Sequence, residues 1–271
     1  MTGENLKTKG RPIPAILRTL QDASLARAES LRSDRSMDSL VRAGRCHAKR
    51  SLSEALTRST PSIIAEVKKA SPSKGAFRPD FDPVALAASY REGGAAAISV
   101  VTELDHFQGR AEWVTAIRAN LDLPILRKDF IVDEIQVAES AAIGADAILL
   151  IARILTEDQI VRLSTAAAEV GLEVVHEAHD AQDVEKIQLA GARIVGINAR
   201  NLDNFLVDTA LFKELYPLIP STAVAIAESG LEQAAQIRNL FQIGYQGFLI
   251  GEALIRSGEP ANLIRQLRQV M

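Results

Sequence analysis

The sequence predicts an α/β protein, a (β/α)8 TIM barrel with a helical extension at its N-terminus. Three observations point there. Eight short apolar runs alternate with amphipathic, helix-like stretches; four glycines recur at near-equal intervals, each just ahead of an apolar run; and polar side chains gather where the runs end.

The predicted strands are Ser62 to Lys69, Ala96 to Val101, Pro124 to Phe130, Ala147 to Ile151, Glu173 to Ala178, Ile194 to Asn198, Ala223 to Ser229 and Gly247 to Gly251. Boundary signals mark the helices between them. Asp82-Pro83 opens one, and Thr156 with Gln159 forms a capping box before Ile160, Leu163, Ala167 and Val170, a helix that Gly171 closes. Gly94, Gly144, Gly191 and Gly244 are spaced by 50, 47 and 53 residues. Each interval holds two βα units, so the glycines lead into strands two, four, six and eight. A doubly wound open sheet is the alternative, but no G-x-G-x-x-G follows the first strand. Residues 1–60 do not fit the repeat. They are expected to carry helices over Ala15 to Arg32 and Ser36 to Thr57, laid over one end of a barrel formed by residues 61–271, the two parts making one structural domain.

The chain has 271 residues, 47% apolar and 24% charged, and no Pro/Gly/Ser-rich linker divides it. A formal net charge of -3 gives no global basic field for nucleic acid. Cys46, the single cysteine, has no intrachain partner, and no Cys/His cluster has metal-ligand spacing. A reducing, cytoplasmic setting without metal or other cofactor is expected. The N-terminus lacks an apolar signal core, and no stretch approaches the roughly 18 apolar residues of a membrane span. The partner expected is therefore a small molecule, with the chain a monomer or weak homo-oligomer.

In a barrel, chemistry sits at the C-terminal ends of the strands. There the sequence places Glu66 and Lys68, then Lys128-Asp129-Phe130, Glu177, Asn198-Ala199-Arg200, Glu228-Ser229-Gly230 and Gly251-Glu252. Side chains alternate faces along a strand, so Glu66 and Lys68 point the same way as Ile64. By the same rule Leu126, Lys128 and Phe130 face one way and Arg127 and Asp129 the other. Only one of the adjacent bases can enter the mouth, and Lys128 is expected there. Each charge alone suits a solvated rim. Two lysines, two glutamates and an asparagine converging from four strand ends are costly to hold together and are the pattern of an active site. Ser229-Gly230 and Gly251-Glu252 each precede a helix, whose N-H groups and dipole suit a phosphate. The Glu252 carboxylate is expected to turn away from that anion.

Three further signals carry less. His176-Glu-Ala-His179 spaces its histidines three apart, rather than the four of a zinc protease helix, and His176 is expected to face the helices while Glu177 faces inward. Trp113 lies in a helix-like segment and is read as packing. Arg42, Arg45, Lys49 and Arg50 have no interleaved aromatics and are read as a solvated helix face.

The run Ile64-Ala-Glu-Val-Lys-Lys-Ala-Ser-Pro-Ser-Lys-Gly75 resembles the signature of the indole-3-glycerol phosphate synthase family. The resemblance continues through Ile98-Ser-Val-Val-Thr-Glu103, His106-Phe-Gln-Gly109, Leu126-Arg-Lys-Asp-Phe130, Leu149-Leu-Ile-Ala-Arg-Ile-Leu155, Gly196-Ile-Asn-Ala-Arg200, Ala227-Glu-Ser-Gly230 and Leu249-Ile-Gly-Glu-Ala253. It spans about Arg50 to the C-terminus, and the first fifty residues match the family poorly. The resemblance implies a lyase of tryptophan biosynthesis that closes an indole ring on 1-(2-carboxyphenylamino)-1-deoxyribulose 5-phosphate, losing carbon dioxide and water.

It also implies roles. Lys128 becomes the acid that polarises the ketone. Lys68 becomes the cation for the substrate carboxylate and an acid in dehydration, while Glu66 and Glu177 are the carboxylates of dehydration with their division left open. Asn198 would bond the ribulose hydroxyls or orient Glu177, and Arg200 would brace the site; Ser229 completes the catalytic set. Phe107, Phe130, Leu149 and Ile151 would wall the aryl ring, and Ser71, Gly230 and Gly251 would hold the phosphate. Glu228 and Glu252 join the substrate-binding set. Two other readings stand beside this one: a different phosphate-binding barrel that uses Lys128 or Lys68 as a Schiff-base nucleophile, and a catalytically silent binder of a phosphorylated ligand.

Overall fold

The computed structural model describes residues 13–269 except 59, 73, 78, 79, 202 and 203, so the first twelve residues of the expected extension lie outside the described residues. The chain opens with α1 (Ala15–Asp34), α2 (Met37–Gly44) and α3 (Leu52–Leu56). Strands and helices then alternate: β1 (Ser62–Val67), α4 (Pro83–Glu92), β2 (Ala97–Val101), α5 (Glu112–Asn120), β3 (Ile125–Lys128), α6 (Glu134–Ala142), β4 (Ala147–Ile151), α7 (Glu157–Glu169), β5 (Glu173–Ala178) and α8 (Ala181–Leu189). The second half adds β6 (Ile194–Asn198), α9 (Leu211–Leu215), β7 (Val224–Glu228), α10 (Ala234–Ile243), β8 (Gly247–Ile250), α11 (Glu252–Arg256) and α12 (Pro260–Arg268). The eight strands are parallel, and β1 pairs with both β2 and β8 to close the barrel.

The strands fall within a residue or two of the sequence reading. The largest difference is in β3, which stops at Lys128 because the Phe130 amide turns to its neighbour Asp129 Oδ1 at 2.8 Å instead of continuing the ladder. Gly94, Gly144, Gly191 and Gly244 have φ of 88°, 93°, 71° and 126°, a region that side chains with a Cβ avoid. Each therefore ends its helix and turns the chain into β2, β4, β6 or β8.

The barrel interior is layered. Ile64, Leu126, Val175 and Ile226 are each 0% exposed. Burying each contributes about 1.5 to 3 kcal/mol. Two positions further along the same strand faces stand Glu66, Lys128, Glu177 and Glu228. The apolar layer is thus the floor on which a polar layer rests.

The N-terminal helices correct the sequence reading twice. The predicted helix over Ser36 to Thr57 is two short helices, and the extension does not cover one end only. α1 lies at the mouth end, where Gln21 Nε2 donates to the Ile154 carbonyl at 2.8 Å and Ser24 Oγ donates to that of Phe130. α2 runs along α6, and Gly44 packs so closely that an added Cβ would stand 2.7 Å from that of Ala141. α3 sits at the opposite end, its start fixed by Ser51 Oγ, which accepts from the Glu54 amide at 3.1 Å, and by Glu173, which accepts from the Leu52 and Ser53 amides. The helix breaks because the chain must travel from the flank of α6 to the far end of the barrel. Nor are Lys49 and Arg50 a solvated face: Lys49 Nζ donates to the Ala145 carbonyl at 3.0 Å, and Arg50 pairs with Asp122 while its amide donates to Asp146 Oδ1 at 2.9 Å.

Candidate active site

At the centre of the polar layer, Lys128 Nζ donates to Glu177 Oε2 at 2.8 Å and to Glu228 Oε2 at 2.9 Å. The side chain of Lys128 keeps 18% exposure, toward a cavity of about 590 Å³ at the barrel mouth. Burial works against its charge, but the Glu177 and Glu228 carboxylates outweigh burial and hold the ammonium above its ordinary range. The two carboxylates diverge. Burial raises both, yet Lys128 holds Glu177 below the usual carboxylate value, whereas burial and the negative charge of Glu177 hold Glu228 above it despite Lys128. The surroundings thus make Glu177 the more acidic of the two. On the facing wall Lys68 Nζ donates to Glu66 Oε1. Bare backbone makes room for both acids: a Cβ on Gly196 would overlap Glu228 Oε1, and one on Gly251 would overlap Glu66 Oε1.

Phe107, Phe130, Leu149 and Ile151 line one side of the cavity, with the two phenyl centroids 6.3 Å apart. Sequence reasoning passed over the residue that positions Phe107. Glu103 is fully buried, and its carboxylate accepts from the amides of Asp105 at 3.1 Å and of His106 and Phe107 at 2.8 Å each. It stands two positions beyond Val101, on the inward face, so period two would have found it. Phe77 and Lys74 were also passed over. The cationic groups of Lys68 and Arg256 stand 5.8 and 5.6 Å from the ring centre of Phe77, and Lys74 Nζ donates to Glu252.

A family model described as indole-3-glycerol phosphate synthase matches residues 17–267. The chain belongs to the indole-3-glycerol phosphate synthase family. The match begins within α1. Among the curated relatives, indole-3-glycerol phosphate synthase of Campylobacter curvus (strain 525.92) is 48% identical over 207 residues, covering 76% of this chain and 79% of that protein. The one from Sulfurimonas denitrificans is 44% identical over 206 residues, covering 76% and 78%. Thiamine phosphate pyrophosphorylase from Pyrococcus furiosus, a solved structure, aligns with a TM-score of 0.60 at 15% identity over 81% of this chain and 97% of that one. At that identity it shares the barrel alone.

In this member of the indole-3-glycerol phosphate synthase family the remaining expected residues take definite places. Arg127 faces outward to Asp129 at 3.2 Å and Glu139 at 2.7 Å, which leaves Lys128 as the base in the mouth. Asn198 has two expected partners, the ribulose hydroxyls and Glu177. Its Oδ1 accepts from Ser229 Oγ at 2.8 Å and from the Arg200 amide at 3.0 Å, so within the protein it orients Ser229. Arg200 Nη1 donates to the Phe205 carbonyl at 3.1 Å and braces that loop. Ser229 and Gly230 both have φ of 73°. Ser71 pairs with Gly75 in a small hairpin at the rim. Glu252 is held by Lys74 and, at 3.0 Å, by Arg256 Nε. His176 does face the helices, with Nε2 at 3.0 Å from Ser164 Oγ. His179, set aside with it as a metal signal, stands instead beside Glu177.

Proposed function

We propose that the chain converts 1-(2-carboxyphenylamino)-1-deoxyribulose 5-phosphate to indole-3-glycerol phosphate, carbon dioxide and water, for tryptophan biosynthesis. The observation that carries the division of labour is Lys128, an ammonium between two buried carboxylates on the floor of a cavity with an aromatic wall. Lys128 gives its proton to the ketone oxygen as the ring carbon bearing the carboxylate attacks the ketone carbon. The bond to the carboxylate then breaks, carbon dioxide leaves, and its electron pair restores the aromatic ring. The hydroxyl so formed departs as water with a proton from an acid, while a carboxylate takes the adjacent carbon-bound proton. Summed over the steps, one proton from solution is consumed per turnover.

The other residues fit around that sequence. Lys68, opposite Lys128 and paired with Glu66, is placed to meet the substrate carboxylate and to act in dehydration. Glu177, the more acidic member of its pair, is the base. Phe107, Phe130, Leu149 and Ile151 take the aryl ring, and Asn198 with Ser229 takes the ribulose hydroxyls. Ser71, Gly230 and Gly251 take the phosphate. The amides of Glu232 and Gln233 already donate to Gln236 Oε1 at 2.9 Å each, which points the anion to the earlier part of that loop. An amine held protonated by two carboxylates is a poor nucleophile, which counts against a Schiff base at Lys128.

The same reading includes a cytoplasmic setting, no nucleic-acid or membrane partner, a monomer or weak homo-oligomer, and the division into an extension over 1–60 and a barrel over 61–271. Among the described residues no helix is long and apolar enough to cross a membrane. The test is to incubate the chain with the carboxyphenylamino-deoxyribulose phosphate in weak buffer, following indole absorbance, carbon dioxide and pH. Indole and carbon dioxide should appear one for one, and with the carbon dioxide purged as it forms one proton should be taken up per indole. A substrate that binds but yields no indole leaves the silent-binder reading, and a borohydride-stable lysine adduct leaves the Schiff-base one.

A further inference from the structure

Glu177 and Lys128 face a conflict in the reaction proposed above, and this inference rests on that reading. The ion pair that fixes both groups at rest must open when Lys128 turns to the ketone, and a freed carboxylate at this depth needs another donor. The structure holds one. His179, just beyond β5, has a side chain only 7% exposed, and its Nε2 stands 3.3 Å from Glu177 Oε1, the oxygen that Lys128 does not use. Neither ring nitrogen of His179 makes a hydrogen bond in this geometry. Leaving such a group unpaired costs stability, so the position calls for an explanation.

The surroundings choose the tautomer. On its other side His179 Nδ1 is 3.8 Å from Asp183 Oδ2. That oxygen already accepts from the His179 amide at 3.1 Å and from Arg153 Nε and Nη2 at 3.2 and 3.1 Å. It has no need of a fourth donor. The ring proton is better used on Nε2, toward Glu177. The charged groups facing the imidazole are Glu177 from β5, Asp183 from α8, Arg153 from the turn after β4 and Lys128 from β3. Burial outweighs the two carboxylates and keeps the ring neutral, a single donor rather than a cation.

We propose that His179 is a positioning residue whose Nε2-H takes up the Glu177 carboxylate when Lys128 engages the substrate. The imidazole is absent from the cavity lining, so it acts through Glu177 and does not touch substrate. A gap of 3.3 Å at rest closes to a full hydrogen bond in the working state, as expected of a site whose contacts tighten with substrate bound.

Three substitutions test this because they place an amide differently. In His179→Gln the amide nitrogen reaches the Nε2 position, in His179→Asn it stops near Nδ1, and His179→Leu has none. The Asn and Leu variants should lose on the order of 10- to 100-fold in kcat, the worth of a hydrogen bond to a charged group, with KM within about twofold. The Gln variant should keep most of the rate. Loss of the donor raises the Glu177 pKa, so the acid limb of kcat should move to higher pH in Asn and Leu and stay in place in Gln. Equal loss in Gln and Asn, or an unmoved acid limb in Asn, overturns the proposal.

Side-chain nitrogen NMR of the unmodified chain gives an answer that does not depend on the variants folding. The Nε2-H of His179 should move downfield when the ketone-reduced substrate binds, and a ring protonated only on Nδ1 overturns the proposal. Glu177→Gln separates the two layers of argument. Full activity in that variant removes Glu177 from the chemistry, whereas an inactive Glu177→Gln beside indifferent His179 variants removes only the role of His179.

Discussion

Lys128 carries its charge where burial alone would strip it, and two carboxylates make the difference. That arrangement sets the outcome of replacing it. Lys128→Met keeps the stem, and its loss leaves Glu177 and Glu228 to share a proton, so the barrel should still fold. Turnover should fall by on the order of 10²- to 10⁴-fold, the usual worth of a positioned acid, in a single-turnover assay of indole formation. A near-native kcat would remove Lys128 from that role. The choice of Lys128 over Arg127 followed from two-residue alternation, because neighbouring strand positions cannot share a face. The partner of Asn198 did not follow from it. Which of Ser229 and Glu177 a short amide reaches depends on the register of β6 against both neighbours, and that is set across strands.

At the scale of elements, α1 bears on the site through Ser24, which holds the Phe130 carbonyl, and through Arg27. Arg27 places Nη1 3.5 Å from Glu103 and Nη2 3.5 Å from Asp129, with 28% of the side chain exposed. Such partly solvated pairs are worth about 1 kcal/mol or less each. Arg27→Met should therefore loosen the 105–107 loop and raise KM a few-fold while kcat stays within about twofold, as steady-state kinetics would show. A KM that does not move would leave α1 with a packing role only. Between β5 and α7, burial holds the His176 imidazole down to about 4. The folded state thus favours the neutral ring, and the unfolded chain binds more protons between that value and the ordinary value of about 6.5. Stability from this group is present above pH 6.5 and is lost as pH falls toward 4, by up to about 3 kcal/mol. Urea midpoints compared with those of His176→Gln should converge or cross as pH falls through that window. Parallel curves would mean that His176 does not titrate on unfolding.

Over the whole molecule, the two ends of the barrel divide their tasks. Away from the mouth, Asp146 is buried and accepts from the amides of Arg50 at 2.9 Å and Ile125 at 2.8 Å, and from Arg118 Nη2. It ties the chain between α2 and α3 to the start of β3. Asp146→Ala strands a mostly buried guanidinium and should cost about 3 to 5 kcal/mol in denaturant unfolding. Under conditions where the variant is folded, kcat and KM should match the parent, since Asp146 is far from the cavity lining. A changed KM would mean that the ends are coupled.

Local chemistry determined much of this protein. Period-two and period-3.6 patterns, the capping box at Thr156 and the glycines before β2, β4, β6 and β8 are short-range signals, and they sufficed for the eight strands and for the inward set of Glu66, Lys128 and Glu177. The path of the extension was beyond them, because the break after Gly44 answers to α6 and Glu173, which lie far along the chain. Charge states were beyond them as well. Glu177 and Glu228 are the same residue type at equivalent strand ends, and only burial and the charges that other strands bring beside them push one down and the other up. Sequence fixes which groups can meet when the spacing is local; three-dimensional packing decides which do, since burial and charge act through space.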